Sequence, residues 1–127
     1  MLKGASVLVV DDDDDARELV TTMLRLFGAG VRGAGSVAEA LEMWNAEPAD
    51  LLLSDLAMPQ SDGCALVRTI RATEAERGAI RMPAIALTGH AFDSHRQQAL
   101  EAGFDAHITK PVEMDALLAL ARQLIAR

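Results

Sequence analysis

Hydrophobic positions along the chain follow two alternating rhythms. Unbroken apolar runs at Ser6 to Val10 (SVLVV), Leu51 to Ser54 (LLLS) and Ala84 to Leu87 (AIAL) predict strands buried on both faces. Two weaker runs, Val31 to Ala34 (VRGA) and Ala106 to Thr109 (AHIT), are interrupted by polar residues or glycine and suit the edges of a sheet. Between the runs the spacing becomes helical. Ala16, Leu19, Val20, Met23, Leu24 and Phe27 form one stripe that stops at Gly28, with one of Asp13 to Asp15 as its N-cap. Ser36 and Glu39 make a capping box ahead of Val37, Ala40, Leu41 and Trp44. Leu66, Val67 and Ile70 mark a third helix whose tail, TEAERG, is charged and expected to be exposed. A fourth helix, capped by Asp93 and ending at Gly103, is poor in large apolar residues and should be the least firmly docked. The last helix places Met114, Leu117, Leu118, Ala121 and Ile125 on its core face, with Leu120 and Leu124 partly outside it.

Strand and helix alternate five times. That order predicts an α/β fold: a doubly wound, five-stranded parallel sheet with helices on both faces and right-handed crossovers. A strong first strand with weak second and fifth strands favours the order 2-1-3-4-5.

The chain is 127 residues long, which bounds it to one domain over residues 1–127, and half of them are hydrophobic, enough for a core. A formal net charge of −7 argues against nucleic acid as a direct ligand. Cys64 is the single cysteine, so no intrachain disulfide can form; a reducing, cytoplasmic setting is expected, with Cys64 filling space on a helix. No signal pattern and no apolar run of membrane-spanning length is present, so no membrane segment is expected.

The chemistry gathers where strands end. Asp11 and Asp12 follow the first strand, Asp55 the third, Thr88 the fourth and Lys110 the fifth. In a parallel sheet these ends share one rim, where ligands bind. Three carboxylates crowded there repel one another and call for a hard cation; magnesium, with few carboxylates plus water and phosphate oxygens, suits such a site. A hydroxyl and an ammonium beside that cluster would meet the needs of an incoming phosphoryl group, and Asp55 could attack phosphorus. Taken singly each residue has a plainer reading: Asp13 to Asp15 a solvated helix cap, Thr88 a turn residue, Lys110 a surface lysine. Their joint placement at four strand ends outweighs those readings.

The segments VLVVDDDDD, LLLSDLAMPQSDG, AIALTGHA and AGFDAHITKPV resemble the receiver domain of two-component response regulators, a flavodoxin-like fold, over essentially the whole chain. The resemblance implies that Asp55 takes a phosphoryl group from a phosphohistidine on a histidine kinase or histidine phosphotransfer protein. It implies that Asp11, Asp12, Asp55 and the backbone carbonyl of Ala57 hold magnesium, and that Thr88 and Lys110 bind phosphoryl oxygens. Family members also catalyse their own dephosphorylation but are signalling phosphoacceptors rather than enzymes acting on other substrates. Receivers commonly have a cis bond at the lysine–proline pair, here Lys110–Pro111. Two positions depart from the usual pattern: Gly89 stands where alanine is common, and His107 where an aromatic residue often acts as a switch. Ala57 and His90 would border the path of attacking water. The segment style resembles receivers fused to hybrid histidine kinases, so the expectation is either a stand-alone regulator or a receiver from a longer protein with fused kinase or effector domains.

Two rivals are weighed against this. A haloacid-dehalogenase-like phosphatase also combines an aspartyl nucleophile, magnesium, a hydroxyl and a lysine, and Asp11-Asp12-Asp13 matches its D-x-D. Its nucleophile, however, follows the first strand, and a longer chain with a cap is typical. A phosphate-independent pseudo-receiver is disfavoured because all five site residues are present.

Overall fold

The computed structural model describes residues 2–56, 63–89 and 93–126. The apolar runs form β1 (Ser6–Val10), β2 (Gly30–Ala34), β3 (Leu51–Asp55), β4 (Ala84–Thr88) and β5 (Ala106–Thr109). The helical stripes form α1 (Asp14–Leu26), α2 (Val37–Ala46), α3 (Gly63–Arg77), α4 (Asp93–Ala102) and α5 (Met114–Ile125). All strands are parallel, in the order β2-β1-β3-β4-β5. The predicted fold class and order are therefore observed. The Lys110–Pro111 bond is cis, as expected.

Successive strand residues point to opposite faces, so each central strand feeds two cores. Val7, Val9, Leu51, Leu53, Ile85 and Leu87 pack under α1 and α5, against Val20, Leu24, Leu117 and Ala121. Leu8, Val10, Leu52, Ala84 and Ala86 pack under the other three helices, against Trp44, Leu66, Ile70, Ala99 and Phe104. Every residue of β3 and β4 is buried. Two of the predicted caps are observed: Asp13 accepts from the N–H groups of Asp15 and Ala16, and Ser36 from that of Glu39. Cys64 is buried at the start of α3, as a space-filler there should be.

Several expectations are corrected. Strands β3 and β4 each run one residue further than predicted, so Asp55 and Thr88 are the last strand residues rather than the first loop residues. The stripe of α1 that meets the sheet centres on Val20, Met23, Leu24 and Phe27 and leaves Leu19 on its flank, 52% exposed. On α5 the buried stripe is Leu117, Ala121 and Leu124, rotated from the expected face, so Leu124 is covered while Met114, in the first turn, is 40% exposed.

The tail of α3 is not simply a solvated run. Glu74 lies four residues after Ile70, on the stripe formed by Leu66, Val67 and Ile70, and is only 5% exposed. Its carboxylate accepts from Arg71 Nη1 at 2.8 Å and from the buried Met82 N–H at 2.7 Å. Arg71 also donates to the carbonyls of Met82 and Gly103 at 2.7 and 3.1 Å and reaches Asp105 at 3.4 Å. Asp105 in turn receives Arg81 and the Ala84 N–H. This cluster joins α3 to the segments entering β4 and β5. A buried carboxylate so partnered is costly to remove, because its cation and N–H stay behind. Glu74→Ala should lower unfolding free energy by about 3 kcal/mol in urea titrations; a loss within the range of a surface substitution, below about 0.5 kcal/mol, would contradict this account.

Candidate functional site

The rim at the carboxyl ends of the strands collects the predicted side chains. Register aligns these ends: Val10 stands beside Ser54, Asp55 beside Leu87, and Thr88 beside Thr109. The residues that follow, or close, each strand therefore meet without long loops. Asp11 is 1% exposed and Asp55 8%, while Asp12 lies at the solvent edge. Carboxylate oxygens of the three lie within 4.8 Å of one another. Two unit charges at such a separation repel by roughly 3 kcal/mol at an effective dielectric of about 20, so burial alone would not leave Asp11 and Asp55 together.

Lys110 offsets part of that repulsion. Its Nζ donates to Asp11 Oδ2 at 3.1 Å and to Asp55 Oδ2 at 3.3 Å. Its backbone N–H donates to the Thr88 carbonyl at 2.7 Å, which fixes where the lysine leaves the sheet. Burial pulls the Lys110 pKa down, but the hydrogen bond to Asp11 and the charges of Asp55 and Asp11 outweigh it, and the net shift is upward. Three carboxylates and one ammonium still leave the four side chains a formal charge of −2.

Thr88 is 4% exposed, and its Oγ1 has no hydrogen-bond partner among the described residues. A buried hydroxyl in that state is costly unless a ligand or water completes it. The donor set is all oxygen, from carboxylates, so the cluster fits a hard divalent cation such as magnesium. The carbonyl of Ala57, and His90 beyond Thr88, lie outside the described residues. Gly89 is exposed and His107 half-buried on β5. Asp13, the third carboxylate of the D-x-D reading, is committed to capping α1 rather than to the cluster.

One site residue escaped the sequence reading. Gly63, the last residue of the LLLSDLAMPQSDG segment, opens α3 directly beneath the site. A Cβ there would fall on the carbonyl oxygen of Asp55 and reach 3.0 Å from Ser54 Oγ. The absence of a side chain lets α3 start against the end of β3. The usable signal was a glycine placed before the apolar stripe of the helix rather than after one.

A parallel sheet in this order, with an acidic rim crossed by a lysine, defines the receiver class. The family profile of the response regulator receiver domain matches residues 7–122, and the chain belongs to that family, a receiver domain of two-component systems. It is 44% identical over 122 residues to an uncharacterized 14.6 kDa protein of Leptolyngbya boryana, covering 96% of this chain and 91% of that one. Against the sensor histidine kinase GacS of Pseudomonas protegens it is 37% identical over 110 residues, 87% of this chain but 12% of that protein. Against the response regulator MprA of Mycobacterium ulcerans it is 36% identical over 121 residues, 95% of this chain and 50% of that protein. The solved receiver domain of the Francisella response regulator 1452 superposes with a TM-score of 0.87 at 28% identity, covering 98% of both chains. The family match displaces the phosphatase alternative. Among the described residues no helix is long and apolar enough to cross a membrane.

The raised Lys110 pKa has a signed consequence for metal-free protein. The folded state favours the charged lysine, so its contribution is fully present below the unfolded value of about 10.4 and fades as pH rises through the higher folded value. The wild type, in urea titrations with a chelator, should therefore lose a share of its stability in the alkaline range that Lys110→Met does not lose. An alkaline loss of the same size in Lys110→Met would rule out Lys110 as its source.

Proposed function

We propose that Asp55 is the phosphoacceptor of this receiver. The carrying observation is the position of its carboxylate: at the end of a fully buried strand, hydrogen-bonded to Lys110, with two further carboxylates alongside. A carboxylate oxygen of Asp55 attacks phosphorus; the O–P bond forms as the N–P bond of a phosphohistidine breaks, and the imidazole leaves with its electron pair and takes up a proton. Asp11, Asp12 and Asp55, with the Ala57 carbonyl, would hold magnesium, which supplies positive charge for the phosphoryl oxygens. Lys110 and the Thr88 hydroxyl bind the oxygens that remain, and the Oγ1 of Thr88, which has no partner among the described residues, supports that role. Asp55 needs no general base, because an ionised carboxylate is already a nucleophile.

The donor in this reading is a protein with a phosphorylated histidine, a histidine kinase or a histidine phosphotransfer protein. The same groups catalyse only the domain's own phosphorylation and its reversal. Attachment to kinase or effector domains fits the 12% of GacS and 50% of MprA that the chain covers, and a cytoplasmic setting fits the lone, buried Cys64.

Incubation with acetyl phosphate and magnesium should add one phosphoryl mass, located by peptide mapping on Asp55 and absent from Asp55→Asn. Label on another residue, or an undiminished yield from the variant, would overturn the assignment. Magnesium should also raise thermal stability, by about 2.7 kcal/mol at a hundredfold excess over its dissociation constant, because the unfolded chain has no such cluster. Asp12→Ala should lose most of that shift; an equal shift in the variant would place the metal elsewhere.

A further inference from the structure

Arg17 lies one turn into α1, outside the set of groups assigned above, yet it reaches back to the rim. Its Nη1 donates to the backbone carbonyl of Asp11 at 2.7 Å, and its Nη2 to the carboxylate of Asp14 at 2.6 Å. The guanidinium thus spans the turn in which Asp11, Asp12 and Asp13 change from strand to helix. That turn is fixed from two other directions: the Asp11 N–H donates to the Ala34 carbonyl at 3.1 Å, and the Asp13 N–H to Asp11 Oδ1 at 3.0 Å. The Asp11 carbonyl is the polar group that Arg17 secures.

Two glycines make room for this side chain. A Cβ at Gly33 would stand 3.2 Å from Arg17 Cδ, and one at Gly35 would stand 3.3 Å from Nη1, the nitrogen that holds Asp11. Both contacts are tighter than ordinary van der Waals approach, so a side chain at either position would push the guanidinium away. Neither glycine has a positive φ, and their value here is the space they leave. The glycine in the edge strand β2 is therefore tied to the rim through Arg17.

We propose that Arg17 is a positioning residue for the cation site: it holds the Asp11 carbonyl so that the carboxylates of Asp11 and Asp12 converge on Asp55. This rests on the reading of that cluster as a magnesium site. The two acceptors are met by two nitrogens of one planar fork, a pre-organised geometry that a compact ammonium on a flexible stem does not offer. The exposed pair with Asp14, whose side chain is 85% accessible, adds little by itself. Its role is to hold the guanidinium in the orientation from which Nη1 meets the Asp11 carbonyl.

The electrostatic alternative has the opposite sign, which makes the test sharp. A cation near the cluster repels magnesium, so if Arg17 acted only by charge, Arg17→Met would bind magnesium more tightly and Arg17→Lys would match the wild type. Positioning predicts weaker binding in both, by about tenfold or more, as for other residues that orient metal ligands. Magnesium titration calorimetry on the full chain reads this directly, at a temperature where circular dichroism shows each variant folded. Gly35→Ala, which retains Arg17 and shifts its Nη1, should weaken binding by a smaller factor and should add nothing in an Arg17→Met background. Unchanged or tighter binding in Arg17→Met, full rescue by Arg17→Lys, or an additive Gly35→Ala effect would each overturn the inference. A wild-type chain that binds no magnesium would instead overturn the reading of the site itself.

Discussion

The constraint on which the rest of the structure depends is the mutual repulsion of Asp11, Asp12 and Asp55. A parallel sheet brings strand ends to one rim, and here three of the groups delivered there are carboxylates. Two of them are almost fully buried, so solvent cannot screen them well. Among the described residues, Lys110 offsets that repulsion and other neighbours set its geometry. Lys110 comes from β5, 55 residues from Asp55 and 99 from Asp11, to sit between them. Gly63 lets α3 close against the back of Asp55, and the main chain of Lys110 is tied to Thr88 so that its ammonium arrives at a set height.

The other end of the molecule shows what a fully answered acidic group looks like. Glu74 is also buried, but Arg71 and the Met82 N–H occupy its two oxygens. Asp105 receives Arg71, Arg81 and the Ala84 N–H. There the carboxylates act as internal cross-links between helix and strand. At the rim, by contrast, three carboxylates crowd around one lysine ammonium, and a buried threonine hydroxyl has no partner among the described residues. The same residue types cross-link elements at one pole and gather into a cluster at the other. The difference lies in whether the carboxylates stand apart among cations and N–H groups or converge on one another, which is why composition alone, or a count of acidic residues, does not locate the site.

This also explains what was legible from the chain. Buried parallel strands announce themselves as SVLVV, LLLS and AIAL because both faces are covered, and the polar residue that breaks each run marks the rim. Fold class, strand order and the five rim side chains were therefore readable. Glu74 was not, because a charged residue at a core-stripe position looks like a solvated tail until its cation and N–H partners, eight residues away or on the same helix, are in place. Leu19 and Leu124 exchanged their expected environments because helical periodicity gives the width of an apolar face more securely than its centre. Gly63 and Gly35 carry meaning only through what a Cβ would strike, and those contacts are with residues eight and eighteen positions away.

The two cations that meet the rim divide its work according to their chemistry. Arg17 offers a rigid, permanently charged fork and is bonded to a backbone carbonyl, a partner that neither titrates nor leaves. Lys110 offers a compact charge on a flexible stem and is bonded to two of the carboxylates themselves, one of which would become an acyl phosphate in the proposed reaction. An arginine at 110 would grip Asp11 and Asp55 with paired bonds and surrender them less readily to an incoming cation and phosphoryl group. A lysine at 17 would hold the turn by one bond and leave it free to rotate. In the proposed reaction the turn of Asp11 would be held by a fixed cation, while phosphoryl capture would ask for a movable one bonded to the carboxylates themselves. The placement of arginine on the first turn of α1 and of lysine at the end of β5 meets both demands with the same two elements that bound the acidic cluster.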